Sequence, residues 1–156
     1  MPQDDDVENL ELTIYDLNHL LTNEYDVDSY DLINSRFISP GIHKNRWPSY
    51  VKDLRKLLKP GGWLQMVEYY FNFQSDNGRL TDAHALSRWY RKYAEAMQQD
   101  RDPRIGIHLE QLMRQAGLRD VTVRKYNLHV GGWSKGMKTS IPHLTFREAS
   151  HTPSGT

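Results

Sequence analysis

Residues 57–68 read LLKPGGWLQMVE and predict the end of a helix, a tight turn and a buried strand. Pro60 presets the φ angle of a turn, and the glycine that follows can adopt a positive φ. Residues 63–71 then form a run that is mostly apolar, as in a strand buried on both faces of a sheet. A helix that returns directly into a buried strand is typical of an α/β fold.

The segment Arg46–Leu58 supplies the helix that precedes this turn. Its apolar residues follow the i, i+3, i+4, i+7 spacing of a single helical stripe. They are Trp47, Tyr50, Val51, Leu54, Leu57 and Leu58. Pro48 is compatible with this helix because it falls in the first turn, where its missing N–H has no intrahelical partner.

Two strands are predicted before this helix. Residues 10–15 (LELTIY) alternate apolar and polar side chains, which predicts a strand with one face toward a core. Residues 30–34 (YDLIN) predict a second, shorter strand after a polar loop.

Two helices and one strand are predicted after residue 80. Thr81 is expected to cap the first helix, whose apolar face carries Leu86, Trp89, Tyr90, Tyr93 and Met97. The second helix carries Leu109, Leu112, Met113 and Ala116 and ends at Gly117-Leu118, a C′ glycine and its hydrophobic neighbour. A strand over Val121–Val130 follows. Strands that alternate with helices predict parallel β-α-β units.

The sequence divides into an α/β domain over residues 1–133 and a low-complexity tail over residues 134–156. Within the tail only Ile141–Phe146 has strand character. Pro142 would confine that strand to a sheet edge or to its first turn, because proline lacks a backbone donor.

Composition excludes several classes of function. The chain has 156 residues, 20 basic and 20 acidic, so net charge gives no argument for nucleic acid or an anionic membrane as a partner. It has no cysteine, which excludes disulfides and thiolate chemistry. The seven histidines show no metal-ligand spacing. A polar start and no apolar run of about 20 residues favour a cytoplasmic or nuclear protein.

Three stretches resemble class I S-adenosylmethionine-dependent methyltransferases, particularly fungal ones associated with secondary metabolism (LaeA-like). They are residues 9–16 (NLELTIYD), 30–37 (YDLINSRF) and 57–68. They are similar to the third strand, the fourth strand and the helix, turn and fifth strand of that family. The resemblance, over roughly residues 8–133, implies a partial Rossmann-like fold with a mostly parallel sheet and flanking helices.

The family's first two strands and its glycine-rich loop would precede residue 8, and no counterpart is found in this sequence. That loop brings backbone N–H groups close to the cofactor. We therefore expect no cofactor for the chain by itself, with S-adenosylmethionine bound only if a second chain completes the fold.

Candidate site residues follow the predicted strands, because ligands of parallel α/β sheets lie beyond the carboxyl ends of the strands. By resemblance, Asp16 matches the position that meets the cofactor's adenine, and it is equally compatible with a turn or helix-cap aspartate. Glu68 and His43 are the candidate catalytic acid/base groups. The alternative for Glu68 is an ion pair with Arg36 or Lys44, and for His43 a solvated loop residue.

Five residues are candidates for substrate binding: Arg36, Trp47, Tyr69, Tyr70 and Trp89. Arg36 has the alternative of a surface ion pair, and Trp47 that of a core position. For Trp89, Tyr90 and Tyr93 the alternative is packing against the sheet. No metal site is expected.

Three functions are consistent with these residues. The first is a tailoring enzyme for a small natural product, a cyclase or isomerase that transfers no methyl group. The second is a methyltransferase completed by a second chain. The third is a non-enzymatic, truncated homologue.

A homodimer is expected from the arrangement of strands. The family's strand order is 3-2-1-4-5-7-6, and the sequence offers counterparts of strands 3, 4, 5 and 6, with the tail strand as a replacement for strand 7. The edge of strand 4 is then open, and an open edge favours pairing with another chain. The dimer would join the two sheets or exchange Leu10–Tyr15, and bury more than about 2,000 Å².

Overall fold

The computed structural model describes residues 9–70, 73, 75 and 78–126, together with the backbone of residues 144–150. After a short 3₁₀ helix at Leu21–Asn23, these residues form four strands and three α-helices. They are β1 (Tyr30–Arg36), α1 (Trp47–Leu57), β2 (Leu58–Tyr69), α2 (Ala85–Met97), α3 (Ile105–Gln115), β3 (Arg119–Tyr126) and β4 (Leu144–Ser150).

The strands form one sheet in the order β1-β2-β4-β3. β1 runs parallel to β2, and β4 runs antiparallel to both β2 and β3, so β1, β2 and β3 share one direction. This is the 4-5-7-6 portion of the sheet implied by the resemblance. The expected partial Rossmann-like α/β fold, with a mostly parallel sheet and flanking helices, is confirmed.

The tail strand lies inside the sheet. β4 is hydrogen-bonded to β2 on one side and to β3 on the other, so it takes the place of strand 7 as expected and is not the edge strand that Pro142 suggested. It covers Leu144–Ser150, and the predicted start at Ile141 falls outside the described residues. Pro142 and the rest of residues 127–143 lie outside the described residues, as does Phe71.

The helix-turn-strand stretch folds as predicted, with one refinement. β2 begins immediately after α1, and its pairing with β1 shifts from Tyr30 opposite Leu58 to Leu32 opposite Trp63. The residues 59–62 between these pairs form the turn inside the bounds of the strand. Gly61 has a φ of 84°, and a Cβ on Gly62 would lie 3.0 Å from the carbonyl oxygen of Tyr30. Both glycines are therefore required by the geometry.

A single hydrophobic core joins α1, α3 and β2. The predicted stripe of α1 is buried throughout, and Leu64 and Met66 of β2 meet it. α3 ends as predicted: Gly117 has a φ of 88°, and the N–H of Leu118 donates to the carbonyl of Met113 at 3.1 Å. This is the Schellman arrangement that satisfies the last carbonyls of a helix.

Two predictions about secondary structure are wrong. Residues 10–15 form no strand, and Leu10, Leu12 and Ile14 are exposed. The alternation predicts that one side of a strand would face a core, but it does not predict a neighbouring strand. A strand without a neighbour has no ladder of hydrogen bonds. Thr81 does not cap α2, which begins at Ala85 with His84 at the N-cap. None of the helices in the described part of the chain is long and apolar enough to cross a membrane.

Candidate functional site

The candidate site lies at the carboxyl ends of β1 and β2. Directly after β1, Phe37 adopts a left-handed backbone conformation with a φ of 54°. Its N–H donates to the carbonyl of Val67 at 2.9 Å, which continues the pairing with β2 by one residue. Its ring is stacked on that of Tyr69, with centroids 4.4 Å apart and an angle of 16° between the planes. The loop that starts here therefore begins with an aromatic pair.

Glu68 is fully buried beneath this loop. Its carboxylate accepts hydrogen bonds from the N–H of Ile38 at 2.8 Å and from the N–H of Ser39 at 3.3 Å. Burial raises the pKa of Glu68, and the hydrogen bonds from Ser39 and Ile38 oppose that rise. The carboxylate thus holds the loop, and neither alternative partner, Arg36 or Lys44, is its observed partner.

Arg36 lies on the exposed side of the sheet. Its guanidinium donates to Asn34 Oδ1 at 2.8 Å and to Gln65 Oε1 at 2.9 Å, and Asn34 also donates to Gln65. These side chains form a polar ladder across β1 and β2. The side chains that hold the guanidinium in place are neutral amides.

An open cleft of about 670 Å³ runs along β1. Four consecutive β1 residues, 33–36, contribute to its wall, so it follows the edge of the strand that is not paired with β2. Leu17, Ile38 and Tyr50 complete the lining. The Tyr50 hydroxyl lies 3.1 Å from Ser35 Oγ, and burial raises the pKa of Tyr50 to about 12. Tyr50 is therefore a neutral hydrogen-bonding group near neutral pH.

The loop after β1 is bound at its start by Glu68. His43 makes the contacts near the other end of this loop. His43 Nδ1 lies 2.7 Å from Asp100 Oδ1 and 2.5 Å from Arg101 Nη1. The hydrogen bond with His43 lowers the pKa of Asp100. Lys44 donates to the carbonyls of Gln98 and Gln99 after α2. His43 is thus part of a charged junction between two loops and is not simply a solvated histidine.

Asp16 is an exposed turn residue, as one of its two interpretations anticipated. Its carboxylate accepts hydrogen bonds from the backbone and side-chain amides of Asn18, both at 2.9 Å, and the backbone bond lowers its pKa. Arg46 binds the same segment, because it donates to the carbonyls of Leu17 and His19. It also donates to Asp53 at 2.7 Å.

The other candidates for substrate binding are dispersed. Trp47 is buried in the core, as its alternative interpretation stated, and its ring N–H has no acceptor among the described residues. Tyr70 is half-buried just after β2. Trp89 is 53% exposed and stacked on Tyr93, and no residue of α2 is buried, so the expected packing of this aromatic face on the sheet is wrong.

Phe37, Arg46 and Tyr50 are site residues that the sequence did not identify. A left-handed conformation is signalled by glycine or asparagine, and Phe37 is neither. Tyr50 belongs to the apolar stripe of α1, where a core role is the usual interpretation. Arg46 lies at the N-cap of α1, where a capping role is the usual interpretation.

The described residues do not by themselves fit S-adenosylmethionine. No glycine lines the cleft, and the carboxylate of Asp16 is directed to Asn18. Nor do three metal-ligating side chains come together anywhere in the described ranges.

No family model matches the sequence. Methyltransferase pytC of Aspergillus terreus is 27% identical over 109 residues, which cover 68% of this chain and 32% of that protein. The secondary metabolism regulator laeA of Aspergillus fumigatus is 25% identical over 108 residues, 68% of this chain and 28% of that protein. The chain thus spans about a third of the length of the curated relatives it matches.

A solved S-adenosylmethionine-dependent methyltransferase from Archaeoglobus fulgidus superposes with a TM-score of 0.58 at 9% identity, covering 93% of this chain and 69% of that one. This likeness concerns the fold, while the fungal matches concern the sequence. Together they show a class I methyltransferase-like fold and a similarity in sequence to fungal secondary-metabolism methyltransferases.

Proposed function

We propose that this chain is the acceptor-binding portion of an S-adenosylmethionine-dependent methyltransferase that modifies a small natural product. The observation that carries the proposal is the open cleft along the free edge of β1. In the family's strand order, the strand next to β1 is the first strand, which bears the cofactor loop. The cleft therefore lies where cofactor-bearing strands would join the sheet.

The chain's own residues suit the acceptor side of such a site. Phe37 and Tyr69 provide apolar rings beyond the strand ends, and Arg36 provides a fixed charge beside them. Catalysis by holding reactants in position needs no acid or base from this portion. This agrees with a Glu68 whose oxygens are occupied by backbone amides.

The proposal implies that the chain by itself binds S-adenosylmethionine weakly. Calorimetry on the purified chain is expected to give no saturable heat at micromolar concentrations. A dissociation constant near ~1 µM, about 8 kcal/mol of binding free energy, would contradict the assignment of the cofactor-bearing strands to polypeptide outside this sequence.

A chimera tests the completion of the site directly. The segment of pytC that precedes its 109 matched residues is fused to the start of this chain, and the segment alone serves as the control. The chimera is expected to bind S-adenosylmethionine more tightly than either part. A chimera that unfolds in one cooperative transition, and yet binds no better than its parts, would overturn the proposal.

We also propose that the isolated chain is a homodimer, because the free edge of β1 exposes backbone donors and acceptors to a second copy. Light scattering at micromolar concentration is expected to report twice the 18.3 kDa of one chain. A mass of one chain would contradict this pairing.

A second candidate function is a cyclase or isomerase without methyl transfer, with Glu68 and His43 as acid and base. One observation favours it: burial raises the pKa of Glu68, which makes its carboxylate a stronger general base. The ring opening of 5-nitrobenzisoxazole, a base-catalysed probe reaction, is the test. If this function holds, Glu68→Gln or His43→Ala slows the reaction by ~10²-fold or more. Equal rates in the wild type and both variants would exclude it.

A further inference from the structure

We propose that the stacked rings of Phe37 and Tyr69 form a binding platform for a planar aromatic molecule, and that Glu68 is the residue that positions this platform. The inference rests on the proposed acceptor-binding function and narrows the acceptor to a chemical class.

The first support is the backbone of Phe37. A bulky residue with a φ of 54° is an outlier, because its Cβ crowds the backbone in the left-handed region. Such conformations persist only where the surroundings impose them, and they concentrate at ligand sites.

The second support is the way the conformation is held. The N–H of Phe37 donates to Val67, and the two following N–H groups donate to the carboxylate of Glu68. A fully buried carboxylate needs such donors, because without them its desolvation in an apolar interior would not be compensated by hydrogen bonds. One side chain therefore determines where the loop leaves the sheet and where the ring of Phe37 points.

The third support is the geometry of the rings. Phe37 is 40% exposed although it is stacked nearly parallel on Tyr69. The backbone of Tyr69 is packed closely by α3, because a Cβ on Gly106 would lie only 3.0 Å from the Tyr69 carbonyl oxygen. Aromatic rings prefer offset stacking at such separations. A third, planar ring can extend the stack over the exposed part of Phe37.

The platform also adjoins the cleft. Arg36 and Ile38, the two neighbours of Phe37 in the chain, both line it. A planar molecule on the platform is thus placed beside the cleft and near a fixed guanidinium, which suits a hydroxylated aromatic ring with a negative or polar substituent.

Trp89 and Tyr93 form a second stacked pair, with centroids 5.4 Å apart and planes at 11°. They lie on α2, which has no buried residue. This pair is also a stacked aromatic pair, but it lies on a helix without buried residues, so it serves as the control.

The test is a titration of the purified chain with 2-naphthol, followed by the amide NMR signals, with decahydro-2-naphthol as the non-planar analogue. Replacing Phe37 by Leu is expected to weaken 2-naphthol binding about 2- to 10-fold and to leave binding of the saturated analogue unchanged. Trp89→Leu is expected to change neither. Unchanged binding in Phe37→Leu, or a loss in Trp89→Leu, would overturn the proposal.

Two further variants test the role of Glu68. Glu68→Gln keeps a carbonyl oxygen for the N–H of Ile38 and is expected to bind 2-naphthol within about 2-fold of the wild type. Glu68→Leu removes the acceptor and is expected to weaken binding as much as Phe37→Leu. An equal loss in both Glu68 variants would contradict the positioning role. If Glu68→Leu does not fold, the exposed Phe37→Leu substitution still decides the platform.

The titration contains no S-adenosylmethionine, so its result is independent of the chimera experiment. Failure of the chimera with specific binding of 2-naphthol would overturn the methyltransferase proposal alone. A functional chimera with no effect of Phe37→Leu would overturn the platform alone.

Discussion

α1 and α2 are both amphipathic helices, of 11 and 13 residues, but they differ in how much of their surface is buried. α1 buries its apolar stripe in the core, whereas α2 buries no residue at all. α1 joins the neighbouring parallel strands β1 and β2, so the connection itself places it on the sheet. The connection from β2 to β3 contains both α2 and α3. In this connection α3 is the helix that packs against the core. An apolar stripe therefore shows that a helix needs a partner, while the topology decides whether one is present.

The largest expected effect tests the ion pair on α1. Asp53 is buried and accepts a hydrogen bond from Arg46 at 2.7 Å. Asp53→Ala leaves the Arg46 charge buried without its partner and is expected to lower the free energy of unfolding by about 3–5 kcal/mol. The matched change on α2, Glu95→Ala at an exposed position, is expected to cost less than about 0.5 kcal/mol. Urea denaturation of both variants measures the difference, and equal losses would remove the contrast between the helices.

A leucine pair compares the apolar faces of the same helices. Leu54 of α1 is 4% exposed and Leu86 of α2 is 38% exposed. Leu54→Ala is expected to cost about 2–5 kcal/mol because it leaves a cavity in the core. Leu86→Ala is expected to cost less than about 1 kcal/mol. If Leu86→Ala proved as costly as Leu54→Ala, α2 would have a packed partner in solution.

Gly106 tests how closely α3 approaches the site. A Cβ at this position would lie 3.0 Å from the Tyr69 carbonyl oxygen, whereas one on Gly41 would meet Ile38 at an ordinary 3.5 Å. Gly106→Ala is therefore expected to cost about 1–3 kcal/mol by overpacking, and Gly41→Ala much less. Thermal unfolding of the two variants is the measurement. A Gly106→Ala variant as stable as Gly41→Ala would mean that α3 moves away without cost.

The smallest effect is a pH dependence that arises from Glu68, because its amide bonds oppose the effect of burial. Burial raises its pKa above the ordinary value of a glutamate, so the folded state holds this proton more tightly than the unfolded state. The contribution of Glu68 to stability is therefore most favourable below the unfolded pKa and declines as pH rises through the folded pKa. The difference in unfolding free energy between the wild type and Glu68→Gln, measured from about pH 4.5 upward, is expected to fall and then level.

A difference that rose with pH would show that the bonds from Ile38 and Ser39 outweigh burial. Asp16 and Asp100 do not interfere in this window, because their pKa values are lowered below 3.8 and they titrate at more acidic pH.

The sequence by itself determined the elements whose information is local. The α1 stripe, the turn at Pro60-Gly61-Gly62, the strands β1 and β2 and the glycine stop of α3 follow from side-chain period and backbone preference, which act within a few residues. Of the candidate site, sequence reasoning placed Arg36, Glu68 and Tyr69 at the strand ends, and their neighbourhood there follows from parallel strands ending on one side of a sheet.

Only the tertiary structure decided which elements found partners. Residues 10–15 alternate like a strand and pair with none of the strands among the described residues. It also decided that Glu68 holds backbone amides and that Phe37 turns its ring onto Tyr69. Pairing, burial and the partner of a buried charge depend on residues distant in sequence. The local sequence pattern does not indicate which of these residues will make contact in the fold.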